Sequence, residues 1–446
     1  MHQPSLELWG GIECTVNRVG DCFHDQLRFS GHLGRASDLQ ALGSLGLRAL
    51  RYPVLWEHAA PGALDEVDFS WASGRLNELQ ELGIEPIAGL LHHGSGPRYT
   101  SLLDPEFPHK LARYAEQVAR RFPFVRRYTP VNEPLTTARF SGLYGHWYPH
   151  ERSDRSFVRA LLNQVWGTVL AMRAIRREQP EAALVHTEDL AHVRSTPALS
   201  DQAAFENERR FLGLDLLYGR VDRHHALYGY LRGAGVSEIE LGKFRENACR
   251  PDILGFNYYV TGERFLDERI ERYPAHVIGG NGRTRYADVE AVRVCRQGLH
   301  GPEALLAEAY ARYQTPLAVT EAHLAGHPEE QARWFSFIWH AAERLRGAGV
   351  PVAAVTAWAL CGSYGWDQLV TRGDSSYEAG AFAVVDGKLE ETPFADFLRA
   401  VAQGAPRVVD GGWWRSQDRL LYAEDLVAEP SAEPASDPSR PAEGRP

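Results

Sequence analysis

A (β/α)8 barrel, of the TIM type, is the fold class this sequence predicts. Three observations carry that reading: short β-rich apolar runs alternate with amphipathic helical stretches, the runs number eight, and 446 residues suffice for one barrel with inserted loops. Alternation of this kind implies parallel strands joined by helical crossovers.

The runs occupy 6–12, 47–54, 84–91, 125–131, 183–186, 252–257, 317–320 and 352–358. The helices between them show in their apolar spacing, for example Leu111, Tyr114, Val118 and Phe122, or Trp334, Ile338, Ala341 and Leu345. The second of these also has its boundary signals: Pro328 with Glu329 and Glu330 in the first turn, and Gly347 and Gly349 at its end. After the sixth run, 259–299 is charged, glycine-containing and too long for a simple connection, so it is expected to cover the barrel mouth. The predicted organisation is one barrel over 1–404, a short extension over 405–429 with the aromatic pair Trp413 and Trp414, and a disordered tail over 430–446. The tail reading follows from a composition of Pro, Ala, Ser, Glu and similar polar residues.

An apolar fraction of 44% and a charged fraction of 24% are those of a globular protein with ample core. The formal charge of -10 argues against nucleic acid, whose binding needs a basic surface. Lysine is nearly absent, so arginine pairs such as Arg126 and Arg127 carry no functional weight. Neither a leader after Met1 nor a run able to span a bilayer is evident, and the expected location is cytoplasmic, without a membrane partner. The five cysteines, Cys14, Cys22, Cys249, Cys295 and Cys361, lack the spacing of zinc or redox motifs and read as isolated thiols. No metal site and no cofactor are expected. Oligomeric state has no signature in the sequence.

In such a barrel the chemistry sits at the carboxyl ends of the strands. The polar residues there are Arg51 after run two, His92 and His93 after run three, Asn132 and Glu133 after run four, Asn257 and Tyr259 after run six, Glu321 after run seven and Trp358 after run eight. Glu133 and Glu321 are two carboxylates in one ring. Glycoside hydrolysis with retention uses such a pair, roughly 5 to 5.5 Å apart. The acid must stay protonated near neutrality, which a second carboxylate nearby promotes. The guanidinium of Arg51 favours the ionised form of Glu321, and the Tyr259 hydroxyl orients it.

Tyr128-Thr129-Pro130-Val131-Asn132-Glu133-Pro134 resembles the acid/base motif of the family 1 glycoside hydrolases, the β-glucosidase-like branch of clan A, and Leu317-Ala318-Val319-Thr320-Glu321 resembles their nucleophile strand. Ile84-Glu85-Pro86 with His92, the 252–259 segment, and Phe382 to Leu398 extend the resemblance over about residues 6 to 402. It implies Glu133 as acid/base and Glu321 as nucleophile supported by Arg51 and Tyr259. It also implies a glycone site of His92 at the 3-hydroxyl, Asn132 at the 2-hydroxyl, Asn257, Trp358 as platform and Trp366. A cis peptide after Trp358 belongs to the same pattern. The partner so implied is a small β-glycoside.

The sugar pocket departs from the family. Gly365 stands where a glutamate grips the sugar's 4- and 6-hydroxyls, the strand-one segment Gly10-Gly11-Ile12-Glu13-Cys14 lacks the usual glutamine, His93 replaces a tryptophan, and Ala322-His323 follows the nucleophile. Loss of the carboxylate at Gly365 favours a modified, deoxygenated or anionic glycone. Glu13, Glu57, Glu188, His323 and Asp367 also fall near strand ends and are expected to bond second-tier groups or line the rim. Two further readings stay open: a non-hydrolytic sugar-binding module beside nucleotide-sugar metabolism, and a transglycosidase.

Overall fold

The computed structural model describes residues 5–373, 376–405 and 411–422; the tail expected over 430–446 lies outside them. Eight parallel strands close into a barrel: β1 (Glu7–Gly11), β2 (Ala49–Pro53), β3 (Glu85–Gly89), β4 (Arg127–Thr129), β5 (Ala183–Asp189), β6 (Ile253–Tyr258), β7 (Leu317–Ala322) and β8 (Val352–Ala357). Neighbours in sequence are neighbours in the ring, and β8 closes on β1 with Trp9 opposite Thr356. Strands buried on both faces need apolar residues at successive positions, which is why the sequence shows runs rather than alternation.

The helices form where the spacing places them. Phe107–Arg121 buries Leu111, Tyr114 and Val118. Pro328–Gly347 begins on its proline with Glu329 and Glu330 in the first turn, where acidic side chains favour the helix dipole. The long helix Asp154–Glu178 starts at Ser153, whose hydroxyl accepts from the Ser156 amide. No helix among the described residues is long and apolar enough to cross a membrane.

Two regions differ from the sequence-based expectation. The segment after β6 is more than a covering loop: Glu263–Asp267, Ile278–Gly280 and Arg285–Glu290 pair antiparallel, and His192–Ser195 joins them as a parallel fourth strand. Apolar side chains at Phe265, Ala287 and Val289 bury one face of this sheet with Tyr273. The fifth strand also runs three residues beyond its apolar stretch, because Thr187 and Glu188 are buried in the barrel top despite their polarity.

Inside the barrel, Trp9, Ala49, Ile87, Val185, Ala318 and Ala354 pack as one apolar layer. This floor leaves the carboxyl half of the strands free to project polar groups above it. Beyond the last helix of the barrel, Pro393–Ala402, the described part of the extension docks against the same body. Trp414 packs edge-on to Trp334 with ring centroids 4.9 Å apart, and the Trp413 amide donates to Glu330 at 3.0 Å.

Candidate active site

Glu133 follows the end of β4 and caps the short helix Pro134–Ala138 with φ 42° and ψ 64°. A left-handed conformation is costly for a residue with a side chain, and it is sustained here by backbone bonds from Glu133 to the Thr187 carbonyl and from Asn132 to the Leu91 carbonyl. Glu321 lies on β7, where the pairing with β6 shifts register between Val319 and Glu321. Such irregularities re-aim side chains next to active sites. The shift sets Glu321 opposite Asn257, while Thr320 donates to Asn257 Oδ1 at 2.7 Å.

The two carboxyls have different partners. Arg51 Nη1 donates to Glu321 Oε1 at 2.7 Å and to the Thr320 carbonyl at 2.8 Å, while Tyr259 donates its hydroxyl to Glu321 Oε2. The other arm of the Arg51 fork, Nη2, donates to Asn132 Oδ1 at 2.6 Å, an oxygen that also accepts from the Thr187 hydroxyl at 2.9 Å. Glu133 receives the Asn257 amide on Oε1 at 2.5 Å, and its Oε2 lies 3.8 Å from His93 Nε2. Asn257 therefore stands beside Glu321 in the sheet and touches Glu133 with its side chain.

Burial decides the electrostatics: Glu133 is 5% exposed and Glu321 2%. Desolvation first, and then the charges of Glu321 and Asp189, push the Glu133 carboxyl well above the usual carboxylate range. Glu321 departs from the sequence-based expectation. Arg51 and Tyr259 do favour its charged form, but loss of water outweighs both and raises the group to about 7. Burial together with the Glu321 charge raises the Tyr259 hydroxyl far above its ordinary value, so it remains a donor. His92 is driven well below the ordinary imidazole value by burial and the neighbouring His93, and His93 falls to about 3 through burial and Arg51. Both rings are neutral at pH 7.

The remaining predicted residues surround this pair. His92 stacks on Trp358 with centroids 5.3 Å apart, and the Asn132 amide reaches both His92 Nε2 and His93 Nε2 at 3.3 Å. Trp358 precedes a cis peptide to Ala359, and the Arg51 guanidinium lies 4.8 Å from its ring. Trp366 packs against His93 at 5.6 Å. The structure thus brings Arg51, His92, Asn132, Glu133, Asn257, Tyr259, Glu321, Trp358 and Trp366 to one end of the barrel.

Sequence reasoning left Glu13, His93, Thr187 and Thr320 outside the predicted set. Glu13 is buried, with Oε2 accepting from Trp366 Nε1 at 3.0 Å and Trp358 Nε1 at 3.3 Å. Its position two residues past β1 was the available signal. His323, by contrast, bonds the Trp358 carbonyl at 2.9 Å, as a second-tier group would. Away from the site, His32, Asp38 and Cys361 come close enough to share a cation. Two of the three are already engaged: His32 bonds Asp38 and Tyr52, and Arg35 bonds Asp38.

No family model matches the sequence. β-Glucosidase 4 of Oryza sativa subsp. japonica is 31% identical over 151 residues, 32% of this chain and 31% of the relative. Coniferin β-glucosidase of Pinus contorta is 24% identical over 134 residues, 28% and 26% of the two chains. The matched stretch spans less than a third of either relative's length. The family 1 β-glucosidase from Thermotoga maritima superposes with a TM-score of 0.72 over 91% of this chain and 99% of its own, at 16% identity. The fold is that of the family 1 β-glucosidases. The same enzyme in complex with cyclophellitol gives 0.72 at 17% identity, again with 91% and 99% coverage. Relatives by sequence and by fold are both β-glucosidases, and the shared fold is the closed ring of eight strands.

Proposed function

We propose that the chain is a retaining β-glycosidase that cleaves a small β-glycoside by double displacement, with Glu321 as nucleophile and Glu133 as acid and base. One observation carries this reading. Glu321 is gripped on one oxygen by Arg51 and on the other by Tyr259, while Glu133, joined to the same cluster through Asn257, is held toward its protonated form. A nucleophile oriented by two donors and an acid kept neutral by its surroundings are the two requirements of the first displacement.

Glu321 attacks the anomeric carbon as Glu133 passes its proton to the leaving oxygen. Esterification of Glu321 removes its charge from the site, and that charge is one cause of the high Glu133 pKa. The second carboxyl then becomes acidic enough to act as base toward water. Arg51 holds Asn132 and Glu321 in fixed relation, so an amide bonded to the sugar 2-hydroxyl would tighten as the nucleophile engages. His92 serves the neighbouring hydroxyl, Trp358 forms the platform it stacks on, and Trp366 lines the far side.

The test is a panel of aryl β-glycosides assayed with the native enzyme and Glu321→Ala. Turnover should fall by roughly a thousand-fold or more in the variant and return in part with azide, yielding a glycosyl azide of inverted configuration. Sugar nucleotides that bind while every glycoside stays intact would replace this reading with that of a non-hydrolytic module. Oligosaccharide products in place of free sugar would identify a transglycosidase.

A further inference from the structure

The reaction proposed above uses two carboxylates, and the site contains a third. Glu13 comes from the end of β1 and is 4% exposed. Three N–H groups hold it: the Thr15 amide on Oε1 at 2.9 Å, and the indoles of Trp366 and Trp358 on Oε2 at 3.0 and 3.3 Å. Both tryptophans belong to the proposed glycone wall, and the negative charge of Glu13 acts on Glu321 and Tyr259. The group therefore borders the proposed glycone wall, within electrostatic reach of Glu321.

A carboxylate offers about four acceptor positions, so three donors leave one for a ligand. Gly365, which directly precedes the Trp366 held by Glu13, adopts φ 69°, a conformation that L side chains rarely take, and it supplies no side chain of its own. Glu13, Glu133 and Glu321 lie near the guanidinium of Arg51, which is committed to Glu321 and Asn132. The two histidines beside them are neutral.

We propose that Glu13 is a specificity-determining residue that restores from strand one the acceptor missing at Gly365, so that the pocket selects a glycone rich in hydroxyl or ammonium donors and rejects one bearing a carboxylate. This rests on the glycosidase reading and reverses the expectation drawn from Gly365 alone: the negative charge absent from strand eight is present on strand one. An anionic glycone would meet a buried like charge without a free cation among the described site groups, a costly arrangement.

The test separates recognition from turnover by using uncleavable S-aryl thioglycosides. Calorimetric titration of the native protein should show the thioglucoside binding about ten-fold or more tightly than the thioglucuronide. In Glu13→Gln, which keeps the shape and removes the charge, the ratio should fall to within about three-fold. Trp366→Phe removes one of the two indole donors and keeps the ring. Its effect should be non-additive with Glu13→Gln in a double-mutant cycle, whereas additive effects would place Trp366 and Glu13 in separate roles. Melting curves confirm that each variant is folded. A thioglucoside-to-thioglucuronide ratio that is unchanged by Glu13→Gln, or equal binding of the two by the native protein, overturns the proposal. Azide rescue of Glu321→Ala judges the glycosidase reading separately, so loss of either conclusion leaves the other decidable.

Discussion

At the scale of single residues, the site is governed by how much water each carboxyl has lost. As the proposed nucleophile, Glu321 would have to be ionised to attack, and its pKa is raised to about 7. The value of kcat/KM should therefore rise as pH passes through about 7 and fall again where Glu133 gives up its proton, the two limbs belonging to the coupled pair. Tyr259→Phe deletes a donor that favours the ionised form, so the acid limb should move to higher pH and kcat/KM drop roughly ten-fold or more. A pH profile with aryl glycosides measures both. Glu57 gives a second case outside the proposed catalytic pair. Its Oε1 accepts a 3.2 Å bond from the Gly96 amide, its Oε2 has no hydrogen-bond partner among the described residues, and burial raises it to about 8. A group that holds its proton longer in the folded state contributes stability that is complete below its unfolded pKa and is lost as pH climbs through the folded one. The window here runs from 4.5 to about 8. Glu57→Gln should accordingly raise Tm more at pH 9 than at pH 5, a difference that thermal melts at the two pH values would reveal. Asn257 acts by geometry instead. Its oxygen accepts from Thr320, so its amide can only donate to Glu133 Oε1, and the transferable proton is assigned to Oε2.

At the scale of elements, that assignment depends on the fit of β6 against β7. A Cβ on Gly255 would lie 2.5 Å from Thr320 Cγ2 and 2.8 Å from the His186 carbonyl, too close for either to remain in place. Gly255→Ala should lower stability by about 1 to 3 kcal/mol and reduce kcat more than it changes KM, because the displaced Thr320 releases Asn257. Denaturant titration and steady-state kinetics read the two effects. The same pair of strands shows what a sequence can reveal. β7 was legible because its buried apolar residues are consecutive, and Glu321 because it closes that run. The link from Asn257 to Glu133 spans 124 residues and has no local signature; it exists only once the ring brings β4 and β6 across the barrel. Glu13 was legible as a residue near a strand end, but its contacts were hidden for the same reason, since the indoles that bond it arrive from 345 and 353 residues away. The sheet after β6 was missed because its alternation is broken by short turns and charged residues, and the end of β5 because Thr187 and Glu188 are polar side chains in a buried place. The high pKa of Glu321 was missed because charge partners are countable in a sequence and solvent exclusion is not.

At the scale of the molecule, the described part of the extension, 411–422, packs on the barrel flank. Trp414 is 3% exposed and covers Trp334 and Phe337, and Arg419 donates to the Cys295 and Arg296 carbonyls. This segment also walls an open cleft of about 580 Å³ whose other side is formed by Val260, Thr261, Leu324 and Ala325, the residues that follow Tyr259 and Glu321 in sequence. Trp414→Ala should cost roughly 3 kcal/mol, a loss that denaturant titration would detect. The ring of eight strands has a further consequence. Arg51, Glu133, Asn257 and Glu321 are delivered by β2, β4, β6 and β7, and each strand is fixed in place by the neighbours on both its sides. No half of the ring, four adjacent strands, contains the proposed reacting constellation, so a half-assembled chain should be chemically silent, and turnover would serve as a gauge of whether the circle has closed.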